Sequence, residues 1–353
     1  MPLFFFSDLF LRHPECRDLF PVSMAVTRDR FRHTLATVVA QVDDLDALRG
    51  YLRNLGCDHR KYGTLAAHYQ AMGVSLLATL AHFSAENWTA GLAADWKDAY
   101  DMVAEIMISA AEEEDALRRP PFWEATVVAH ELRRFDIATF RVATGEPLPY
   151  LPGQSVGMES TARPRIWRYY SMANAPRADH TLDFHVRMID GGALSMVLTR
   201  GLAVGAKLRL GAPVGTFTFD AGTGRDVLLV AGGTGLAPVK AIVEQISALP
   251  DPPRVCLYVG ARTGDGLYDL TDLEKMTTGF PWLTVVAAVS DEPGYQGERG
   301  LLPDVVARGG NWRAHEAYVA GSTAMVEAVV SRLTMAGVPA GQIHSEDFGW
   351  SEV

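Results

Sequence analysis

The first third of the chain repeats its apolar residues at helical spacing. Leu48, Leu52 and Leu55 form one stripe, which His59 continues in steps of four, three and four, and Trp96, Tyr100, Val103 and Met107 form another. Turn residues are sparse, so the pattern predicts an all-helical segment running to about Ala116. The acidic run Glu112 to Asp115 then gives way to Arg118, Arg119, Pro120 and Pro121. Two consecutive prolines cannot continue a helix, and a domain boundary is expected there.

Beyond that point the period shortens. Residues 125–131, 135–143, 182–188, 207–210 and 215–219 read as short strands divided by Gly and Pro, the pattern of a small antiparallel β-barrel. From Asp226 onward, apolar strands at 227–231, 255–259, 283–289 and 317–320 alternate with helix, first at 238–249, as in a doubly wound parallel sheet. The expected architecture is multidomain: an all-α domain at 1–117, an antiparallel β-barrel at 118–222 and an α/β domain at 223–353.

Composition narrows the class. The 353 residues are 48% hydrophobic and carry a net charge of −10, which fits folded domains with cores of their own and excludes a disordered chain. The acidic balance argues against nucleic acid as a partner. Cys16, Cys57 and Cys256 are odd in number and contain no CxxC pair, which argues against a disulfide framework, a zinc site or a cysteine-held iron–sulfur cluster and points to a reducing cytoplasm. The apolar start at Leu3 to Phe6 is interrupted by Asp8 and Arg12, so neither a signal peptide nor a spanning helix is expected. The expected partners are small molecules, and nothing indicates a protein partner.

Two stretches carry candidate chemistry. In DVLLVAGGTGLAPVKAIV, Gly232, Gly233, Thr234 and Gly235 lie between a buried strand and a helix start, where glycine lets the backbone approach a phosphate and free amides donate to it. The spacing is not the common GxGxxG. In WRYYSMANAP, strand alternation puts Arg168 and Tyr170 on one face, with Ser171 on the other or at the strand end. Together with LPGQ at Leu151 to Gln154, GGALS at Gly191 to Ser195 and the GGTGLAP loop, this set resembles the ferredoxin-NADP reductase superfamily from about Phe122 to the end.

That resemblance implies FAD. Arg168 would neutralise its pyrophosphate, Tyr170 would stack on the isoalloxazine, Ser171 would bond near N5, and Gln154 and Tyr169 belong to the same flavin-binding set. Gly191, Gly192 and Ser195 would make a second phosphate contact, and Gly232 to Gly235 would hold the nicotinamide dinucleotide. In the terminal IHSEDFGW, Glu346 would lie near the flavin, with Phe348 covering the ring face that the nicotinamide must reach. Asp291, in AAVSDEP, would repel a 2'-phosphate and accept from a ribose hydroxyl, favouring NADH over NADPH; Arg262, in VGARTG, pulls the other way. Ala320 to Ser322 read AGS where many relatives have CGP, which leaves room for hydride transfer.

A lone histidine on an apolar stripe is ordinarily a core residue. The surrounding LFLRHPECRDLFP, LGCDHRKYGTLAAHYQAMGVSLL and DWKDAYDMVAEIM, however, resemble globins, in particular bacterial flavohaemoglobins that join a haem domain to this reductase. The match begins at that family's second helix. It implies haem b on His59, Phe20 packed on the haem, and Tyr69 orienting the imidazole. A glutamate of the last helix assists in the family; here Ala111 stands at the ungapped position, with Glu112 and Glu113 nearest. The distal tyrosine is replaced by Phe6, which removes a hydroxyl donor to bound dioxygen, and Thr27 is the match for the distal glutamine, with Arg30 as an alternative. The implied activity is nitric oxide dioxygenation to nitrate, with electrons passing from NADH to FAD to haem. The alternatives are a globin that reduces another small oxidant, a gas sensor whose iron the reductase keeps ferrous, and a regulatory module without haem.

Overall fold

A computed structural model describes residues 1–41 and 44–349. Contacts divide the chain into one unit of residues 1–123 with 164–166 and a second of residues 124–163 and 167–353.

The first unit is helical: α1 (Pro2–Arg12), α2 (Ala25–Ala40), α3 (Leu45–His59), α4 (Ala66–Ser84) and α5 (Ala90–Ala116), with short 3-10 turns at Pro14–Leu19, Arg60–Tyr62 and Ala85–Asn87. Side chains fix several starts. Asp44 accepts from the Ala47 amide at 3.1 Å to open α3, Thr89 accepts from the Leu92 amide at 3.1 Å to open α5, and Pro2 occupies the first turn of α1. Such a cap contributes about 1 kcal/mol. The expected stripe is internal, with Leu48 and Leu52 buried against Tyr69, Ala104 and Met107. The backbones of α3 and α5 come very close at Gly56, where a Cβ would lie 2.3 Å from the Met107 carbonyl oxygen, so glycine permits this crossing.

The second unit contains two six-stranded sheets. The first runs β4 (Arg168–Ser171), β3 (Ser155–Ser160), β6 (Lys207–Val214), β1 (Trp123–Arg134), β2 (Ile137–Thr144), β5 (Thr181–Arg187), and its pairs are antiparallel where their register is defined. A bridge between Met172 and Phe184 joins its two edges, curling the sheet into the expected barrel. A short helix, α6 (Ala193–Met196), leads into a π-helical turn at Val197–Gly201.

Two elements differ from the sequence pattern. Strand β3 shows no alternation because every one of its residues is buried, Glu159 included, which pairs with Arg209 at 3.3 Å. Residues 215–219 do alternate, and Phe217 and Phe219 pack around Tyr318, yet no strand pairs with them. The backbone turns at Gly215 (φ +105°) and leaves the sheet.

The second sheet is wholly parallel, in the order β10 (Glu298–Arg299), β9 (Leu283–Val289), β8 (Val255–Ala261), β7 (Val227–Gly232), β11 (Glu316–Gly321), β12 (Ile343–Asp347). Two buried clusters cover its faces. One packs α7 (Leu236–Ser247) and α8 (Leu270–Gly279) over Leu229 and Leu257; the other packs α9 (Leu302–Gly309) and α10 (Thr323–Met335) over Leu228 and Val319. The strand order reverses beside β7, where α/β sheets place ligands. Among the described residues no helix is long and apolar enough to cross a membrane.

Candidate functional site

In the helical unit, the C-terminal half of α2 touches α3, with Val38 against the Leu48 cluster and the Tyr51 hydroxyl donating to Thr34 at 3.5 Å. His59 ends α3. Its Nδ1 lies 3.3 Å from the Tyr69 hydroxyl on α4, and Nε2 has no hydrogen-bond partner among the described residues. The imidazole is half-buried, and desolvation pushes its pKa down to about 4, so it is neutral near pH 7. Burial likewise pushes Tyr69 up to about 12, keeping its hydroxyl protonated. A neutral imidazole with one nitrogen oriented and the other open fits a haem iron ligand.

A second cluster, on α1 and α2, is a wall of aromatic rings. Phe6 is buried, with its ring 5.4 Å from Phe20, 5.5 Å from Phe31 and 5.9 Å from Phe10; Phe5 stacks on Phe31 at 4.3 Å. Thr27 and Arg30 are half-buried on α2, one turn before Phe31 and Thr34 respectively. No residue of α2 is fully buried. A helix whose residues are all at least partly exposed leaves apolar surface that a flat apolar group could cover. Among the described residues the acidic run of α5 supplies no carboxylate to Tyr69: Glu113 pairs with Arg53, Glu114 with Arg119 and Asp115 with Arg60. Glu112 is exposed.

In the barrel, β4 pairs with β3 so that Tyr170 faces Val156 and Arg168 faces Met158. Burial raises the Tyr170 pKa. Tyr169 is half-buried between them, and Ser171 is buried. Arg168 also donates to the Trp167 carbonyl at 2.9 Å. Gly191 (φ +75°) and Gly192 precede α6, and the Ser195 hydroxyl accepts from the Ile189 amide at 3.2 Å and donates to the Gly192 carbonyl at 3.3 Å, fixing that turn. Gln154 is engaged in its own turn, accepting from the Leu151 amide at 2.9 Å and donating to the Gly215 carbonyl at 3.1 Å.

At the parallel sheet, Gly232 ends β7 and Gly233, Thr234 and Gly235 make a 3-10 turn into α7. Gly233 adopts φ +55°, and a Cβ on Gly235 would lie 2.2 Å from the Ala320 carbonyl oxygen. The loop is therefore glycine because of both its conformation and its approach to β11. Sequence reasoning missed Arg187, whose guanidinium lies over Gly233, within 3.3 Å of where a Cβ would be. Its Nε is buried without a hydrogen bond, 3.6 Å from Asp136. An unsatisfied guanidinium above a glycine turn fits a pyrophosphate. The two positions are 46 residues apart, and no local pattern in the sequence links them.

Glu346, on β12 opposite Ala320, has Oε2 buried without a partner, and burial pushes its pKa up to about 7, with Asp347 adding to the shift. The next turn is held by the Phe348 amide, which donates to the Gly321 carbonyl at 3.0 Å. Trp350, the last residue of that motif, lies outside the described residues. Arg262 and Asp291 meet each other, with Nε donating to Oδ2 at 2.8 Å. A second missed cluster joins barrel to sheet: His185 Nδ1 lies 2.8 Å from the Tyr268 hydroxyl, and Lys240 donates to buried Asp269 at 2.6 Å. Tyr268 and Asp269 line a small cavity beside Gly233.

Three segments of the chain match known families. Residues 3–107 match the globin family, 122–219 the oxidoreductase FAD-binding domain and 229–331 the oxidoreductase NAD-binding domain. The chain is 35% identical over 232 residues to the ferredoxin–NAD(P)(+) reductase component of the naphthalene 1,2-dioxygenase/salicylate 5-hydroxylase systems of a Ralstonia species, covering 64% of this chain and 68% of that protein. The corresponding naphthalene dioxygenase reductase component of Pseudomonas putida is 34% identical over the same shares. A flavohaemoglobin from Malassezia yamatoensis, solved with FAD and haem, shares the fold over 98% of this chain and 93% of its own, with TM-score 0.81 and 16% identity. The chain thus belongs to the ferredoxin–NAD(P)(+) reductase family of FAD- and NAD-binding oxidoreductases, and the globin domain ahead of that module gives it the architecture of a flavohaemoglobin.

Proposed function

We propose that the protein is a cytoplasmic, NADH-driven nitric oxide dioxygenase, with residues 1–117 as the haem domain, 118–222 as the FAD domain and 223–353 as the NAD domain. The observation that carries this reading is His59, neutral and with Nε2 open, in one chain with a flavin- and nicotinamide-binding module. FAD, held by the barrel residues, would supply conversion of a hydride into single electrons, and haem b, held by His59, would supply one-electron chemistry on a diatomic gas, the chemistry that turning nitric oxide and dioxygen into nitrate requires.

The chain's own residues bind and orient. Gly232 to Gly235 and Arg187 take the dinucleotide pyrophosphate, and Asp291 accepts from the ribose. Arg168 would offset flavin phosphate charge, Gly191, Gly192 and Ser195 would present amides to it, Tyr170 and Tyr169 would hold the ring, and Ser171 would donate a hydrogen bond to it. Gln154 holds the turn beneath them. Phe348 would cover the flavin ring and exclude water from it, and Glu346 would hold a proton at its carboxyl near it. In the globin, Tyr69 orients His59, while Phe6 and Phe20 exclude water and Thr27 supplies the polar side chain of α2.

A second reading keeps the same electron path but gives it another small oxidant or a gas-sensing role. It is favoured by Phe6, which offers dioxygen no hydroxyl, and by similarity to reductase components of oxygenase systems. Stopped-flow mixing of the oxygenated protein with nitric oxide separates the two. Stoichiometric nitrate formed near the diffusion limit supports dioxygenation; slow or absent nitrate removes it.

A further inference from the structure

Strand β12 pairs with β11 as far as Asp347, opposite Gly321, and the chain then turns. Asp347 closes that turn: its Oδ1 accepts from the Gly349 amide at 3.2 Å and from the Thr323 hydroxyl at 3.2 Å. Between Asp347 and Gly349, the Phe348 amide donates to the Gly321 carbonyl at 3.0 Å. A Cβ on Gly349 would lie 2.2 Å from the Thr323 Oγ1, so a side chain there would push Thr323 off Asp347. Helix α10 opens with Ser322 and Thr323, yet the Ser322 side chain makes no capping bond and Thr323 donates outside the helix, to Asp347. The carboxylate in turn stands at a helix start, where partial positive charge favours an anion. One side chain thus ties the residues on either side of Phe348 to an element 24 positions earlier.

We propose that Thr323 and Asp347 form a latch that fixes where the Phe348 ring lies, and so how readily the ring yields its place to the nicotinamide of a dinucleotide. Asp347 is then a positioning residue that acts through Phe348. The inference rests on the reading that Phe348 covers the flavin, and adds what holds it there. A latch that stabilises the seated turn opposes any ligand that needs the turn displaced, and by no more than the latch's own free energy. A ligand that leaves Phe348 in place is indifferent to it.

The test loads the full chain with FAD and titrates it calorimetrically with oxidised NAD, which carries the nicotinamide, and with ADP-ribose, which lacks it. Asp347→Ala and Thr323→Val should each tighten NAD binding by about three- to tenfold, the range of one or two surface hydrogen bonds, and leave ADP-ribose unchanged. Asp347→Asn keeps the acceptor and should bind both ligands as the wild type does. Unchanged or weaker NAD binding in the first two variants, or an equal change for both ligands, overturns the latch. Phe348→Ala separates the latch from its premise. Tighter NAD binding there with no response to Asp347→Ala discards the latch alone, whereas no response to Phe348→Ala discards the reading of Phe348. Amide exchange of the apoprotein gives a readout without any cofactor: the segment after β12 should exchange faster in Asp347→Ala and at the wild-type rate in Asp347→Asn. Equal protection in all three proteins also overturns the latch.

Discussion

Arg262 and Asp291, from the loops that follow β8 and β9, form one ion pair at 2.8 Å, so the two residues that argue oppositely about the cosubstrate are bound to each other. The Arg262 guanidinium, beside Asp291, holds that carboxyl below its ordinary range. On the proposed reading, a carboxylate at this position would both accept from the ribose and engage Arg262, which could otherwise meet a 2'-phosphate.

Replacing Asp291 with Ala should therefore release Arg262 and move the ratio of kcat/KM for NADPH over NADH upward by about tenfold, the scale of one charge-assisted contact. Asp291→Arg should move it further. An unchanged ratio would mean that the adenosine end binds elsewhere.

His59→Ala should abolish haem absorbance while NADH oxidation by an artificial dye persists, because the flavin and nicotinamide residues lie in the other compact unit. Loss of both activities would instead assign His59 a folding role.

Phe6→Tyr places a hydroxyl into a wall of phenylalanines, where a buried donor without a partner costs about 1–3 kcal/mol. The apoprotein should melt at lower temperature, while dioxygen release from the ferrous haem protein should slow as the hydroxyl finds an acceptor. An off-rate equal to that of the wild type would place Phe6 away from the gas ligand.

Glu346 gives a pH dependence with a defined sign. Its folded pKa of about 7 lies above the ordinary 4.5, so between these values the folded state keeps a proton that the unfolded state has released. Its contribution to stability is most favourable below pH 4.5 and falls as pH rises through 7, by at most about 3 kcal/mol. Urea midpoints at pH 5 and pH 8 should differ less in Glu346→Gln than in the wild type; an equal difference would locate the titration in another group.

Much of this molecule is local in origin. The stripe ending at His59, the two prolines after α5, the alternation of the barrel strands and the glycine turn after β7 each follow from the steric and hydrophobic character of neighbouring residues, and each is legible without coordinates. Strand β3 escaped because burial on both faces erases alternation, and 215–219 misled because two aromatics can alternate into a core without a strand to pair with. What only the tertiary structure decided is which distant charges meet. Arg187 above Gly233, Arg262 on Asp291 and the acidic run of α5 turned to Arg53 and Arg60 all depend on packing between elements far apart in the chain. Coulombic partners are selected by proximity in space, and no periodicity along the sequence encodes it.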